Sequence, residues 1–176
     1  MYNNPSLFRH KRVCELGSGL GLVSILLHKM KVCKSIVVTD GDEDTIELLN
    51  DNVVCTLDPP ADGTANVNTE TENIAIPTVD SNSKLNSLTV HESDLAVRKL
   101  WWDEDVDVFL RDIQTFIADK QTATPESSHV FSAVVDTKDM QLFDVVIGAD
   151  IIYEEEQISP LLKTVIQIMS SKFDLL

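Results

Sequence analysis

The chain has 176 residues, of which 43% are hydrophobic and 24% charged, and a formal net charge of -15. That length holds one domain with a real core and not two comfortable ones. So acidic a chain repels nucleic acid and anionic membrane and steers a basic partner towards itself, or else uses its charge to keep polar inserts soluble.

Three scattered cysteines, Cys14, Cys33 and Cys55, show no metal-type pairing, and Cys14 sits in an apolar run as a small core residue. No signal peptide is recognisable, and no apolar stretch approaches the roughly 20 residues that span a bilayer. The expectation is a soluble intracellular protein, cytoplasmic and with the nucleus as a further compartment.

In chain order, Arg12 to Leu16 reads as a short apolar strand ending at Gly17. A helix follows from about Leu20 to Lys31, with Leu22, Ile25, Leu26 and Met30 on one face. Ser35 to Asp40 is β-branched and ends in an acid, which predicts a second buried strand. Asp42 to Val54 is helical again, with Ile46, Leu49 and Val53 at helix spacing. Strand, helix, strand, helix points to a parallel α/β sheet.

From about Thr56 to Asn86 the chain is polar and Pro-containing, and it reads as a disordered insertion. A third strand signal runs from Leu88 to Trp102. Residues 103 to 141 read as a second insertion, part of which is an amphipathic helix carrying Val106, Phe109, Leu110, Ile113, Phe116 and Ile117. Phe143 to Ala149 predicts the best buried strand of the chain, ending at Asp150. Ser159 and Pro160 read as the N-cap and first residue of a last helix, with Leu161, Leu162, Val165, Ile168 and Met169 as its apolar face. The whole is expected to be one domain, 1 to 176, with the insertions at 56 to 86 and 103 to 141.

Glu15-Leu16-Gly17-Ser18-Gly19-Leu20-Gly21 follows a strand and opens a helix. Glycines there let the backbone turn sharply and approach a ligand. The spacing is Gly-x-Gly-x-Gly and not the Gly-x-Gly-x-x-Gly of a dinucleotide site, which must cradle a pyrophosphate. Asp40 closes the second strand roughly 20 residues later, where an acid accepts hydrogen bonds from both hydroxyls of a ribose. Asp42 or Asp44 can cap the next helix, which leaves Asp40 for a ligand. Together the two features predict a nucleoside site.

Glu15 to Gly21 resembles motif I of class I S-adenosylmethionine-dependent methyltransferases. Phe143 to Val165 closely resembles the strand-four segment of the seven-β-strand protein-lysine methyltransferases that act on Hsp70-type chaperones, elongation factors and calmodulin. The Asp-x-x-Tyr signature of that family lies at Asp150-Ile151-Ile152-Tyr153, and its Leu-x-Trp element at Leu100-Trp101-Trp102. These blocks follow one another in the family's order along the chain.

The resemblance implies a Rossmann-like fold with a parallel sheet in the order 3-2-1-4, helices on both faces and S-adenosylmethionine at the strand C-termini. It puts Gly17, Ser18 and Gly19 along the methionine and ribose, with Glu15 and Gly21 completing the motif. Asp40 then takes the ribose hydroxyls, Trp102 covers the adenine and Ala149 adds to the cofactor pocket. Asp94 is a rival adenine contact. Asp150 and Tyr153 meet the target amine as the catalytic pair, the first orienting it and the second walling its channel. The implied partner is a protein bearing a target lysine, with no metal, nucleic acid or membrane.

The family carries a tryptophan-containing segment before motif I and three further strands after the last helix. Their absence here leads to the expectation of a truncated product or fragment that lacks the C-terminal strands. Two other readings stay open: a methyltransferase of a small molecule, and a degenerate cofactor-fold module that binds a partner through acidic inserts.

Overall fold

The computed structural model describes residues 5–57, 88–92, 94–121 and 142–169. Five strands form one sheet: β1 (Arg12–Glu15), β2 (Ser35–Asp40), β3 (Thr89–Glu92), β4 (Leu95–Lys99) and β5 (Val145–Ile147). Four helices accompany them among the described residues: α1 (Leu22–Lys29), α2 (Glu43–Leu57), α3 (Val106–Gln121) and α4 (Ile158–Met169). The sheet order is β3-β4-β2-β1-β5. β4, β2, β1 and β5 run parallel to one another, and β3 lies antiparallel on β4.

The expected order 3-2-1-4 is therefore corrected to five strands. The segment from Leu88 to Trp102 is a hairpin and not a single strand, with an irregular register between Val90 and Glu92. A charged break, His91 to Asp94, separates its two apolar pieces. The mixed α/β sheet, with helices packed on both faces, is Rossmann-like.

Alternation along the strands builds two apolar layers, because successive strand side chains point to opposite faces. Val13, Ile36, Val38, Leu95 and Val97 face α1 and α2, where they meet Leu27, Ile46, Leu49 and Val53. Cys14, Val37 and Ala96 face α3 and α4, where they meet Phe109, Ile113, Leu161 and Ile168. Burial at Cys14 pushes its thiol pKa well above the usual range, so it acts as a small core residue.

The helix expected inside the second insertion is α3, and its apolar side is core. Val106, Phe109, Leu110 and Ile113 are buried, and the Phe109 ring stacks on Phe143 with centroids 6.2 Å apart. Phe109→Ala is expected to cost about 3–5 kcal/mol of stability, read from urea unfolding. A loss below about 1 kcal/mol, as for a surface site, would mean that α3 is dispensable. The rest of that insertion, 122–141, and nearly all of the first, 58–86, lie outside the described residues.

Three further expectations are corrected. β5 is half-buried and not the best buried strand, because among the described strands it pairs with β1 alone. In α1 the buried residues are Ser24, Leu27 and His28, whereas Leu22, Leu26 and Met30 are exposed. Ile158 opens α4 directly after a short 3-10 turn at Glu155–Gln157, so Ser159 and Pro160 lie in its first turn and Ser159 is not the cap. On that helix Leu161 and Ile168 are buried with Thr164, while Leu162 is exposed. Among the described residues no helix is long and apolar enough to cross a membrane.

Candidate active site

The C-terminal ends of the parallel strands open into one cleft of about 490 Å³, within the roughly 300–1,000 Å³ of small-ligand pockets. Four loops wall it. The turn after β1 contributes Gly17 and Gly19, and the passage from the end of β2 into α2 contributes Asp40, Gly41, Asp42 and Thr45. Leu100, Trp101 and Trp102 follow β4, and Asp150, Ile151 and Tyr153 follow β5. Glu156, Gln157 and Pro160 complete the rim.

Gly17 has a φ of +60°, a left-handed conformation that side chains disfavour. A Cβ there would also come within 2.8 Å of the Ile151 side chain and 3.5 Å of the Trp102 ring. The bare backbone thus lets the first glycine turn, the Trp102 indole and the loop after β5 converge. Ser18 anchors this turn by donating its backbone N–H to the Thr39 carbonyl at 2.9 Å. Its Oγ is buried without a hydrogen-bond partner among the described residues.

Asp40 is only partly free. Oδ2 accepts the Gly19 backbone N–H at 2.9 Å, and Oδ1 accepts the Asp42 N–H at 3.1 Å. A carboxylate offers about four lone-pair positions, so two remain for a ligand. Asp42 caps α2: its Oδ1 accepts the Thr45 N–H and hydroxyl at 2.8 and 2.9 Å. These bonds hold the Asp42 carboxyl below its ordinary pKa of 3.8.

Of the residues singled out from the sequence, Gly17, Gly19, Asp40, Trp102, Asp150 and Tyr153 line the cleft, while Glu15, Ser18, Gly21 and Ala149 do not. Glu15 is 2% exposed and faces α1, where its Oε2 accepts the Ser24 N–H at 3.1 Å and also the Ser24 hydroxyl. Gly21 packs against Leu49 of α2, leaving no room there for a Cβ. Asp94 sits at the opposite, N-terminal end of the strands, where its carbonyl accepts the Ile36 N–H at 2.7 Å. It cannot reach the ligand crevice.

Sequence reasoning missed Trp101 and Gly41. Trp101 lies on Gly41 so closely that a Cβ there would meet the indole at 2.8 Å. The Gly-Asp pair after β2 was the available signal. The loop carrying Trp102 is pinned to α4, since the Asp103 N–H donates to Thr164 Oγ1 at 2.7 Å and Lys163 Nζ bonds Asp103 Oδ2 at 2.7 Å. Asp150 adopts a φ of +56°, a strained conformation that aspartate and asparagine tolerate best.

Among the described residues the lining holds four acids, Asp40, Asp42, Asp150 and Glu156, and no lysine or arginine. It therefore favours a cationic ligand over one bearing phosphates, which would call for basic partners.

Burial raises the Glu15 carboxyl above its ordinary pKa of 4.5, against the two bonds from Ser24 that lower it. The folded state accordingly disfavours the Glu15 charge, and stability is lost as pH rises from 4.5 through the raised folded value. Glu15→Gln removes that charge and keeps an acceptor for Ser24. The stability of this variant relative to the parent is expected to climb with pH across that window, measured by urea unfolding between pH 4 and 8. A difference that does not change with pH would show that Glu15 carries no charge penalty.

Two comparisons bear on this site. Residues 3–64 match the sequence model of a family described as lysine methyltransferase. A stretch of 50 residues is 38% identical to protein-lysine N-methyltransferase EFM3 of Chaetomium thermophilum, covering 28% of this chain and 15% of the length of that relative. Both matches are to lysine methyltransferases, and each covers less than half of this chain.

Proposed function

We propose that the chain binds S-adenosylmethionine in this cleft and serves methyl transfer to a lysine side chain of a protein. The observation that carries the proposal is the acidic lining around a glycine turn, which holds a ribose-competent Asp40 and two tryptophans. The residues fit the cofactor. The backbone at Gly17 and Gly19 takes its methionine and ribose side, the spare lone pairs of Asp40 take the ribose hydroxyls, and Trp102 covers the adenine. The orphaned Ser18 Oγ is a further polar group in the same turn.

When bound, S-adenosylmethionine supplies a methyl group made electrophilic by its sulfonium. What remains for the protein is alignment. The attacking amine has an ordinary pKa of about 10.4 and must be neutral to attack. Asp150 accepts hydrogen bonds from that amine and turns its lone pair towards the cleft. The Tyr153 ring, 74% exposed at the rim, walls the channel and attracts the amine in its charged form by cation–π contact. The negative surface steers a basic segment of the partner to the rim.

Calorimetry tests the first half: saturable binding of S-adenosylmethionine is expected, with none for ATP or NAD. Incubation with methyl-labelled cofactor and a cell extract tests the second, label being expected on protein lysine. Label recovered only in small molecules would replace the protein acceptor, and no cofactor binding at all would overturn the proposal.

A further inference from the structure

A second polar cluster lies at the opposite end of the sheet. His28, in the last turn of α1, is 3% exposed, and its Nδ1 has no hydrogen-bond partner among the described residues. Glu92 ends β3 and Asp94 precedes β4, so the hairpin brings both carboxylates over the histidine. His28 Nδ1 lies 3.7 Å from Asp94 Oδ2, and His28 Nε2 lies 3.4 Å from Glu92 Oε2. One donor atom from each of the three residues can be chosen so that all lie within 4.8 Å of one another. The Lys31 ammonium borders the same group, 3.3 Å from Glu92 Oε2 and 3.2 Å from His28 Nε2.

A buried ring nitrogen with no partner is costly unless something satisfies it. Asp94 is too far to accept its hydrogen bond, yet stands at a separation suited to sharing an ion. Zinc lies about 2.0–2.1 Å from imidazole nitrogen and about 2.0–2.2 Å from carboxylate oxygen, so two of its ligands are at most about 4.3 Å apart. An ion takes one ring nitrogen: at the unpartnered Nδ1, the 3.7 Å to Asp94 Oδ2 falls inside that limit, and Glu92, whose Oε2 faces the other nitrogen at 3.4 Å, has to shift to join them. The carboxylates are 41% and 28% exposed, free to adjust and open to an ion from solvent, while the histidine forms a fixed floor.

We propose that His28 Nδ1, Asp94 and Glu92 form a site for one divalent transition-metal ion, zinc(II) in the first instance, with the Lys31 ammonium competing for Glu92. One nitrogen and two oxygens suit zinc, and water can fill the open position. Bound there, the ion ties α1 to the β3–β4 hairpin and steadies the antiparallel edge of the sheet. The role is structural and separate from the cleft.

The test uses the 176-residue protein freed of metal by a chelator and titrated with zinc(II) by calorimetry, and with cobalt(II) by visible absorption. One ion per chain is expected, with a rise in melting temperature. Glu92→Gln and Asp94→Asn should each weaken binding at least about tenfold, whereas Lys31→Ala, at an exposed position, should tighten it. Lack of saturable binding overturns the proposal. So does binding that both carboxylate variants and Lys31→Ala leave unchanged, because the ion would then sit elsewhere.

Discussion

Replacing Asp40 by alanine is expected to weaken S-adenosylmethionine binding at least about tenfold, with the chain still folded. Hydrogen bonds to a charged acceptor are worth about 1.5–3 kcal/mol, and about 1.4 kcal/mol is tenfold. Asp40 is half-exposed at the end of β2, and its removal opens no cavity in either apolar layer. It does free the Gly19 and Asp42 N–H groups, which then turn to water or disturb the glycine turn. Asp40→Asn keeps the Gly19 bond through its amide oxygen but turns its NH2 towards the Asp42 N–H. A loss much smaller than that of alanine assigns most of the alanine effect to the turn at Gly19. Calorimetry gives both constants, with circular dichroism as the check on folding. An unchanged constant in a folded alanine variant moves the ribose site elsewhere.

Much of this cleft was legible because it is built from short-range signals. β2 runs from Ser35 to Asp40 as its β-branched residues predict, and the glycine turn and Asp40 meet because β1 and β2 are parallel neighbours in register. What was not legible depends on partners far apart in the chain. The periodicity of α1 offers Leu22, Ile25, Leu26 and Met30 as its inner face. The buried Glu15 draws Ser24 inward instead and leaves Leu22 in solvent. A hydrophobic pattern cannot register a polar pair that turns a helix.

Glu15 shows the same limit from the other side. Within the motif it resembles a ligand contact, yet its carboxylate is spent on the start of α1. Its part in the cleft is to set where the helix after the glycine turn begins. Likewise Phe143 to Ala149 reads as the best buried strand, but burial depends on neighbours, and among the described strands β5 has only β1. Trp101 was passed over for Trp102 although both line the cleft, because no local pattern tells which indole meets Gly41 and which meets Gly17.

The largest effect is expected at Asp150, and Asp150→Asn is the variant that isolates it. Asparagine tolerates the φ of +56° as aspartate does. The backbone after β5 should therefore stay in place, which an alanine there would not guarantee. The substitution keeps the shape of the side chain and removes its charge. If Asp150 accepts hydrogen bonds from the amine and turns its lone pair to the methyl, transfer should fall at least about a hundredfold, the scale of a lost acid–base group. Binding of S-adenosylmethionine should hardly change, because the ribose is assigned to Asp40 and the adenine to Trp102, and neither contact uses the Asp150 carboxylate. A fall in kcat at a preserved cofactor constant marks a group used on the acceptor. Raising the pH should recover part of the lost rate, since more of the amine is then neutral without help. If cofactor binding is lost along with transfer, Asp150 belongs to the scaffold of the cleft. If transfer survives intact, the amine is oriented by another group on this rim.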